Sequence, residues 1–518
     1  MSGIDHHIRA VRRCAIGSRI LLLTLTILWR SMFSPYDTSA SINPSCLSLS
    51  SESPDSAIRF PWIASAIEES IVWDSVYFVR IAQCGYEYEQ TYAFLPLLPI
   101  VISFVSNTGS LLCSLIFNPP PLPHFIVFWP LVPLIGYRAV LGLSGYFINN
   151  IAFLFAALYF YSCFAFMVLF QGHLLICEVL CAFLNRLSLV ILKDPKASLR
   201  ASILFCFNPA SIFYSSIYTE SLYALFSIGG LYYLMSGAKN FPVLWLAISG
   251  SARSNGVLNA GYYGFKALHQ SYYAIYVKKR ACVLLAGTLR CICIFIPFLS
   301  FQAYGYYNIC HGRNPDEMRP WCKKRVPLLG VGFLRYFQLK QLPNFLLASP
   351  VLSLAFCAIY SYAKIESDNF FSLGLGATIT EKNSASVLFN GGEELIIDDH
   401  YTKIPENKNL RRRQKIKIQG RSLSSAETEV SVNKSGYYSV VMLPFICHLG
   451  FMVATAFFVM HVQVATRFLS ASPPLYWYAS YVMASPGRSR RWAYLIWGYA
   501  ASYILLGSLL FSNFYPFT

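Results

Sequence analysis

The feature that most restricts this chain is a succession of long, nearly uncharged apolar segments. Each is close to the roughly 20 residues that a helix needs to cross a bilayer. Candidate spans begin with Ala15–Phe33, Tyr92–Leu112, Phe125–Phe147 and Ile151–Leu169. They continue with Ile203–Tyr218, Ser221–Leu234, Phe241–Tyr262 and Ala281–Ala303, then Asn344–Tyr362, Tyr438–His461 and Trp492–Phe511. Gln171–Leu192 is ambiguous, so about 10–12 spans are expected. Backbone groups in lipid have no water to bond, so these spans should be helices. The fold class expected is an all-α polytopic membrane protein.

Composition agrees. Of 518 residues, 55% are hydrophobic and 13% charged, about half the charge of an ordinary soluble domain. The net charge of +17 does not imply nucleic-acid binding, because the basic residues lie mostly between apolar segments. Fifteen cysteines in a chain this long do not form a disulfide-dense scaffold, and neither a CxxC pair nor a Cys/His metal spacing occurs. Cys310 and Cys322 share one loop and are candidates for a bridge.

Charge also predicts topology. Arg9, Arg12, Arg13 and Arg19 precede or begin the first span, which places residues 1–14 in the cytoplasm and reads 15–34 as a retained anchor. Residues 35–91 carry eight Asp/Glu against Arg59 and Arg80 and form a lumenal loop. A transmembrane bundle follows over 92–303, then a lumenal loop (304–343) and a helix (344–362). Residues 363–437 read as a flexible cytoplasmic linker whose basic part, 401–434, has nine Lys/Arg against three Glu. The remainder is a helix (438–461), a lumenal loop (462–491) and a last helix with the C-terminus (492–518).

Ionisable groups at membrane depth are expensive and point to function. Five blocks stand out. Trp73-Asp74 opens an amphipathic run at the end of the first lumenal loop, followed by Arg80, Glu87 and Glu89; Asp74 suits a general base, but taken alone the block reads better as an interfacial aromatic belt with Asp74 capping a short helix. Asn208-Pro209-Ala210-Ser211-Ile212-Phe213 leads to Tyr218-Thr219-Glu220-Ser221, with Glu220 between apolar runs. Arg253-Ser254-Asn255-Gly256 puts a cation and an amide into an apolar helix. Gly332–Asn344 contains Arg335 and Lys340 in a loop with more positive charge than a lumenal segment should have, which a phosphate-bearing partner would explain. His461-Val462-Gln463 precedes Arg467 and the Ser-Ala-Ser-Pro-Pro run.

Together and in this order, the blocks resemble those of the GPI mannosyltransferase 2 family of the endoplasmic reticulum, from about the first span to the C-terminus. The resemblance implies a GT-C-like glycosyltransferase in the ER membrane. It would transfer mannose, α-1,6-linked, from dolichyl-phosphate-mannose to the first mannose of the GPI-precursor glycolipid on the lumenal side. An inverting displacement needs a base and cations for the departing phosphate, with no cofactor or metal expected. By that likeness Asp74 is the catalytic base. Trp73 would stack on a sugar, and Arg80, Arg253, Arg335 and Arg467 would be phosphate ligands. Glu87, Glu89, Glu220, Asn255, Lys340, His461 and Gln463 would complete the substrate contacts. A small membrane subunit is a further expected partner. Two stretches depart from the family pattern: the apolar run between Leu158 and Leu187 is longer, and Pro327–Val331 runs directly into the Gly-Phe-Leu-Arg block. Competing readings are a sugar-lipid transporter, disfavoured by the lack of an internal repeat, and a non-catalytic subunit of a membrane complex.

Overall fold

A computed structural model describes residues 2–36, 46, 58–116, 131–161, 187–238, 240–273, 282–311, 322, 332–389, 436–485 and 489–515. Among them every regular element is helical. We label the helices that carry the argument α1 (Ser2–Met32), α2 (Pro61–Glu69), α3 (Ser75–Cys84), α4 (Leu97–Ile116), α5 (Tyr137–Tyr161), α6 (Pro195–Cys206), α7 (Glu220–Met235), α8 (Phe241–Ala252), α9 (Ala260–Tyr273), α10 (Cys282–Cys310), α11 (Leu342–Ile365), α12 (Leu443–Phe458), α13 (Ala465–Leu469), α14 (Pro473–Ala484) and α15 (Ser489–Ser512). Five described helical stretches are long and apolar enough to cross a membrane: Tyr137–Tyr161, Leu285–Cys310, Leu339–Ile365, Val440–Phe458 and Arg490–Ser512. The chain is therefore polytopic. Residues 162–186, inside the overlong apolar stretch, lie outside the described residues, as do 323–331 and the basic part of the linker.

One continuous core runs through the bundle, and its largest fully buried side chains are aromatic, Trp477, Tyr161, Tyr214 and Tyr232 among them. Helix α1 packs against α5, α6 and α15. Helices α7 and α8 approach closely because Gly229 and Gly230 present no side chain; a Cβ on Gly229 would stand 2.4 Å from the Trp245 ring. Small residues at helix contacts are a usual way to bring backbones together in lipid.

The expected span Ile203–Tyr218 is not one helix. It ends as α6 at Cys206, turns through Asn208-Pro209, and resumes as the single turn Ser211–Ser215. Pro209 supplies no N–H and disfavours helical backbone at Asn208, so carbonyls at the break lose their partners. Arg19 replaces them. Its guanidinium donates to the carbonyls of Cys206 (3.3 Å) and Ser211 (3.1 Å) and to the Ser215 hydroxyl (3.1 Å). It also lies 3.8 Å from the centre of the Phe153 ring. Arg19 is thus no surface charge of the topology signal but a 4%-exposed strut of the bundle.

Two further expectations are corrected. Residues 462–491 are not a loop: α13 and α14 occupy most of the stretch, and the α14 indole of Trp477 is fully buried and donates to Ser188 at 2.9 Å. An aromatic-rich helix buries area that an irregular segment cannot. The first part of the linker, 367–389, is likewise ordered, as short helices at Ser367–Phe371, Ile379–Ser384 and Ser386–Phe389. They are anchored by Phe389, whose ring meets Phe265 and His269 of α9 at 5.4 and 4.5 Å. Cys310 and Cys322 are bridged as their shared loop suggested, and Cys46–Cys84 adds a second disulfide that ties the first loop to the end of α3.

Removing the Arg19 strut should therefore destabilise the whole bundle. Arg19→Met strands the Cys206 carbonyl at roughly 1–3 kcal/mol and removes the bonds to Ser211 and Ser215, whereas Arg13→Met, at an exposed position of the same helix, should change nothing. Thermal unfolding of the detergent-solubilised chain distinguishes the two; equal midpoints would remove Arg19 from this role.

Candidate active site

The site is built on two unusual backbone turns. Trp73 adopts φ +54°, a left-handed conformation that costs a non-glycine residue about 1–3 kcal/mol. It is held there from the C-terminus: the Trp73 indole donates to the Phe511 carbonyl at 3.1 Å, and its ring packs 5.7 Å from Phe514. The turn delivers Asp74 to the N-cap position of α3. Nevertheless its side chain accepts no capping hydrogen bond from the helix, so the capping explanation fails. Asp74 instead meets Tyr218, whose hydroxyl accepts from the Asp74 backbone N–H at 3.1 Å.

The second turn is Arg253–Gly256, where α8 ends and a 3-10 helix, Ser254–Asn259, folds back over it. A Cβ on Gly256 would stand 2.3 Å from the Ser249 carbonyl oxygen, so only glycine allows this close return. Asn259 donates to the Ser249 hydroxyl at 3.1 Å and secures it. The turn aims Arg253 at Glu220, the first residue of α7, where the helix dipole also favours an acid.

Glu220 is the hub. It is 1% exposed, and its Oε1 accepts from Arg253 Nη1 and from Arg467 Nε, the latter at 2.8 Å. Its Oε2 has no partner among the described residues. Arg467, on α13, packs against the rings of Phe213 (4.2 Å) and Tyr218 (4.8 Å), which themselves meet edge to face with centres 5.3 Å apart. Both arginines remain about 15% exposed at the side chain and keep N–H donors that Glu220 does not use. The three charges leave a net +1 beside Asp74. Burial pushes the Asp74 carboxyl above the ordinary carboxylate range; the Glu220 charge acts in the same direction, while Arg467 and the Tyr218 hydroxyl offset part of the shift.

Four of the residues singled out from sequence, Asp74, Glu220, Arg253 and Arg467, thus meet in one centre. Asn255 sits close behind it, buried, with both amide atoms unpartnered among the described residues. Trp73 supports the centre from below rather than presenting its indole N–H to a ligand. The others form two separate groups. Arg80 pairs with Glu87 at 2.6 Å, both nearly buried, and Glu87 and Glu89 line a cavity of about 360 Å³ with Tyr86, Tyr92 and Asn308. Arg335, Lys340 and His461 border a cavity of about 280 Å³. The Tyr336 hydroxyl, donating to Gln463 at 2.9 Å, links that group to the segment leading into Arg467.

Sequence reasoning missed Tyr218 and Phe213 as site residues, although both stand in the blocks that were recognised. An aromatic two residues before a membrane-depth acid was the available signal. Among the described residues, the only three His, Cys, Asp or Glu side chains grouped closely enough to share a metal ion are Cys46, Cys84 and Glu87, and those two sulfurs are joined in a disulfide.

Because Glu220 is the shared partner of two cations in a largely buried place, its loss should be severe. Glu220→Ala leaves two largely buried guanidinium groups without their carboxylate, a cost of about 3–5 kcal/mol. Reversible unfolding in mixed micelles should show it, and an unchanged unfolding free energy would mean that the arginines are supported elsewhere.

Comparison with known proteins supplies the family. The chain is 25% identical over 553 residues to GPI mannosyltransferase 2 of Drosophila pseudoobscura pseudoobscura, covering 98% of this chain and 99% of that protein. It is 24% identical over 589 residues to human GPI alpha-1,6-mannosyltransferase 2, with 98% of each covered. The Cricetulus griseus protein of that name is also 24% identical, over all of both chains. No solved structure is a significant match. The sequence profile described as Mannosyltransferase (PIG-V) matches residues 8–180 and 167–518, two segments that overlap inside the overlong apolar stretch. With almost its whole length matched, and with Asp74, Glu220, Arg253 and Arg467 drawn together inside a helical membrane bundle, the chain belongs to the PIG-V mannosyltransferase family.

Proposed function

We propose that this chain is an α-1,6-mannosyltransferase of GPI-anchor synthesis, acting at the lumenal face of the endoplasmic reticulum membrane. Its donor would be dolichyl-phosphate-mannose and its acceptor the mannose-bearing GPI-precursor glycolipid. The names of its full-length relatives support the reaction. The two disulfides support an oxidising compartment on the side of the chain that carries them.

The observation that carries the mechanism is the position of Asp74: a carboxylate released from helix capping, next to a buried ion cluster with one positive charge to spare. In this reading Asp74 removes the proton from the acceptor hydroxyl. The resulting oxygen attacks the anomeric carbon of mannose as the bond from that carbon to the phosphate oxygen breaks. The bonding pair leaves with dolichyl phosphate, whose charge rises from −1 to −2. Arg467 and Arg253 oppose that growing charge with the N–H donors that Glu220 does not occupy. One displacement converts a β-linked donor into an α-linked product, without a covalent intermediate. Glu220 touches no substrate. It is a positioning residue that fixes both guanidinium groups and lowers the cluster's charge enough for the leaving phosphate to depart.

Asp74→Asn should lower mannosyl transfer by about 100- to 10,000-fold, the usual worth of a general base, with unchanged abundance. Cells lacking their second GPI mannosyltransferase, complemented with wild type or Asp74→Asn at matched expression, provide the test through surface GPI-anchored protein. Rescue by both would exclude Asp74 as the base. The pH profile has a defined sign. A base is active only when deprotonated, and burial raises this carboxyl. The acid limb of kcat should therefore fall at a higher pH than an ordinary aspartate, near 3.9, would give. An acid limb at or below that value would contradict the assignment.

A further inference from the structure

A cavity of about 650 Å³ lies outside the ion cluster, and none of Asp74, Glu220, Arg253 and Arg467 lines it. Its walls come from the end of α1 (Arg30–Phe33), from α2 (Glu68, Glu69), from the start of α5 (Arg138) and from Phe514. Ile71 and Val76 also line it. These two bracket Trp73-Asp74 in sequence, and Phe514 is the ring that packs on Trp73. The cavity therefore abuts the turn that presents Asp74. Its volume falls in the ~300–1,000 Å³ range of pockets that enclose small ligands.

The charged groups in its wall are incompletely used. Arg30 donates to the Ser512 carbonyl at 2.9 Å and reaches Glu69 only at 3.5 Å. Arg138 has a buried Nε without a hydrogen-bond partner. Glu68 and Arg138 feel each other's charge but make no hydrogen bond or ion pair among the described residues. Burial also pushes the Glu68 carboxyl above its ordinary range. The wall thus offers two guanidinium donors and two carboxylate acceptors with net charge zero, above an apolar floor of Ile71, Val76 and Phe514. A lone phosphate would meet as much repulsion as attraction there. Neutral hydroxyl-rich rings fit better, since each hydroxyl accepts from arginine and donates to glutamate while the C–H face of the ring covers the apolar floor.

We infer that this cavity is the subsite for the sugar headgroup of the glycolipid acceptor, which it holds so that one hydroxyl reaches Asp74. The inference rests on the mannosyltransferase reading for the identity of the glycolipid, but the cavity makes a separate prediction about which substrate it serves.

The test uses the full-length chain in nanodiscs, with Glu68→Gln, Arg138→Lys and, at the exposed rim, Glu69→Gln. Transfer is measured with the mannose-bearing GPI precursor titrated at saturating donor, and then with dolichyl-phosphate-mannose titrated at saturating acceptor. The KM for acceptor should rise about tenfold in Glu68→Gln and Arg138→Lys, the worth of a hydrogen bond to a charged group. A rise of about threefold is expected in Glu69→Gln. The KM for donor and kcat should stay within about twofold. An unchanged acceptor KM, or a parallel rise for both substrates, overturns the inference. Equilibrium binding of the same precursor, measured on the same proteins without donor, separates the two readings. If wild type binds the precursor and Glu68→Gln binds it about tenfold more weakly, but neither transfers mannose, the catalytic reading fails and the subsite stands. Equal binding by both, or no binding by wild type, overturns the subsite. If Glu68→Gln or Arg138→Lys does not fold, the acceptor KM of Glu69→Gln decides.

Discussion

The contact between Glu220 and its two arginines is the constraint on which the rest of the site depends. Removing a guanidinium or a carboxylate from water costs several kcal/mol, and the membrane interior offers no compensation except another buried group. One carboxylate oxygen takes both cations, so three separate chain segments must converge on it: the start of α7, the turn after α8 and the short helix α13. A cluster with two cations and one anion retains a single positive charge. In the proposed reaction that charge would attract a phosphodiester without trapping the dianion it becomes, the partly exposed arginines serving for contact and the almost fully buried glutamate for positioning.

The convergence here uses broken helices. Continuous helices satisfy their own backbone, whereas Glu220 stands at a helix start, Arg253 at the turn after α8 and Arg467 in a helix of five residues. This chain breaks its helices at Asn208-Pro209, at Arg253–Gly256 and before α13, and side chains secure the first two breaks. At the first it is the guanidinium of Arg19; at the second, the Asn259–Ser249 hydrogen bond around a glycine-only approach. The strained turn at Trp73 follows the same logic, because its left-handed backbone is held by a hydrogen bond and a ring contact from the last residues of the chain. The C-terminus and the first loop are therefore parts of one device that presents Asp74.

Around this centre the polar residues separate into distinct chemical settings. The Arg335–Lys340–His461 cavity carries several basic side chains, whereas the cavity behind Trp73 balances two arginines with two glutamates. The proposed reaction, with two lipid-borne substrates, would use such a division, since each substrate would bring a different headgroup to a shared reacting point. Arg80 belongs to neither setting. Paired with Glu87, it braces the loop beyond α3.

Much was legible in the sequence. The apolar runs required a helical membrane bundle, and the isolated ionisable residues Asp74, Glu220, Arg253 and Arg467 marked the centre because a charge at that depth must have a reason. The tertiary structure decided which of those charges belong together. Arg80 and Arg467 look alike in the sequence as basic residues between apolar runs, yet one is paired within its own loop and the other reaches across 247 positions to Glu220. Arg19 read as a topology signal because side-chain periodicity along one helix does not reveal a broken helix beside it. Residues 462–491 read as a loop because their apolar run is short, and only packing against other helices makes α14 worth burying. The sequence by itself determined the solvent, the secondary structure and the inventory of costly charges, all of which follow from local composition. The pairing of those charges and the cavity behind Trp73 depend on long-range packing, and no local pattern encodes them.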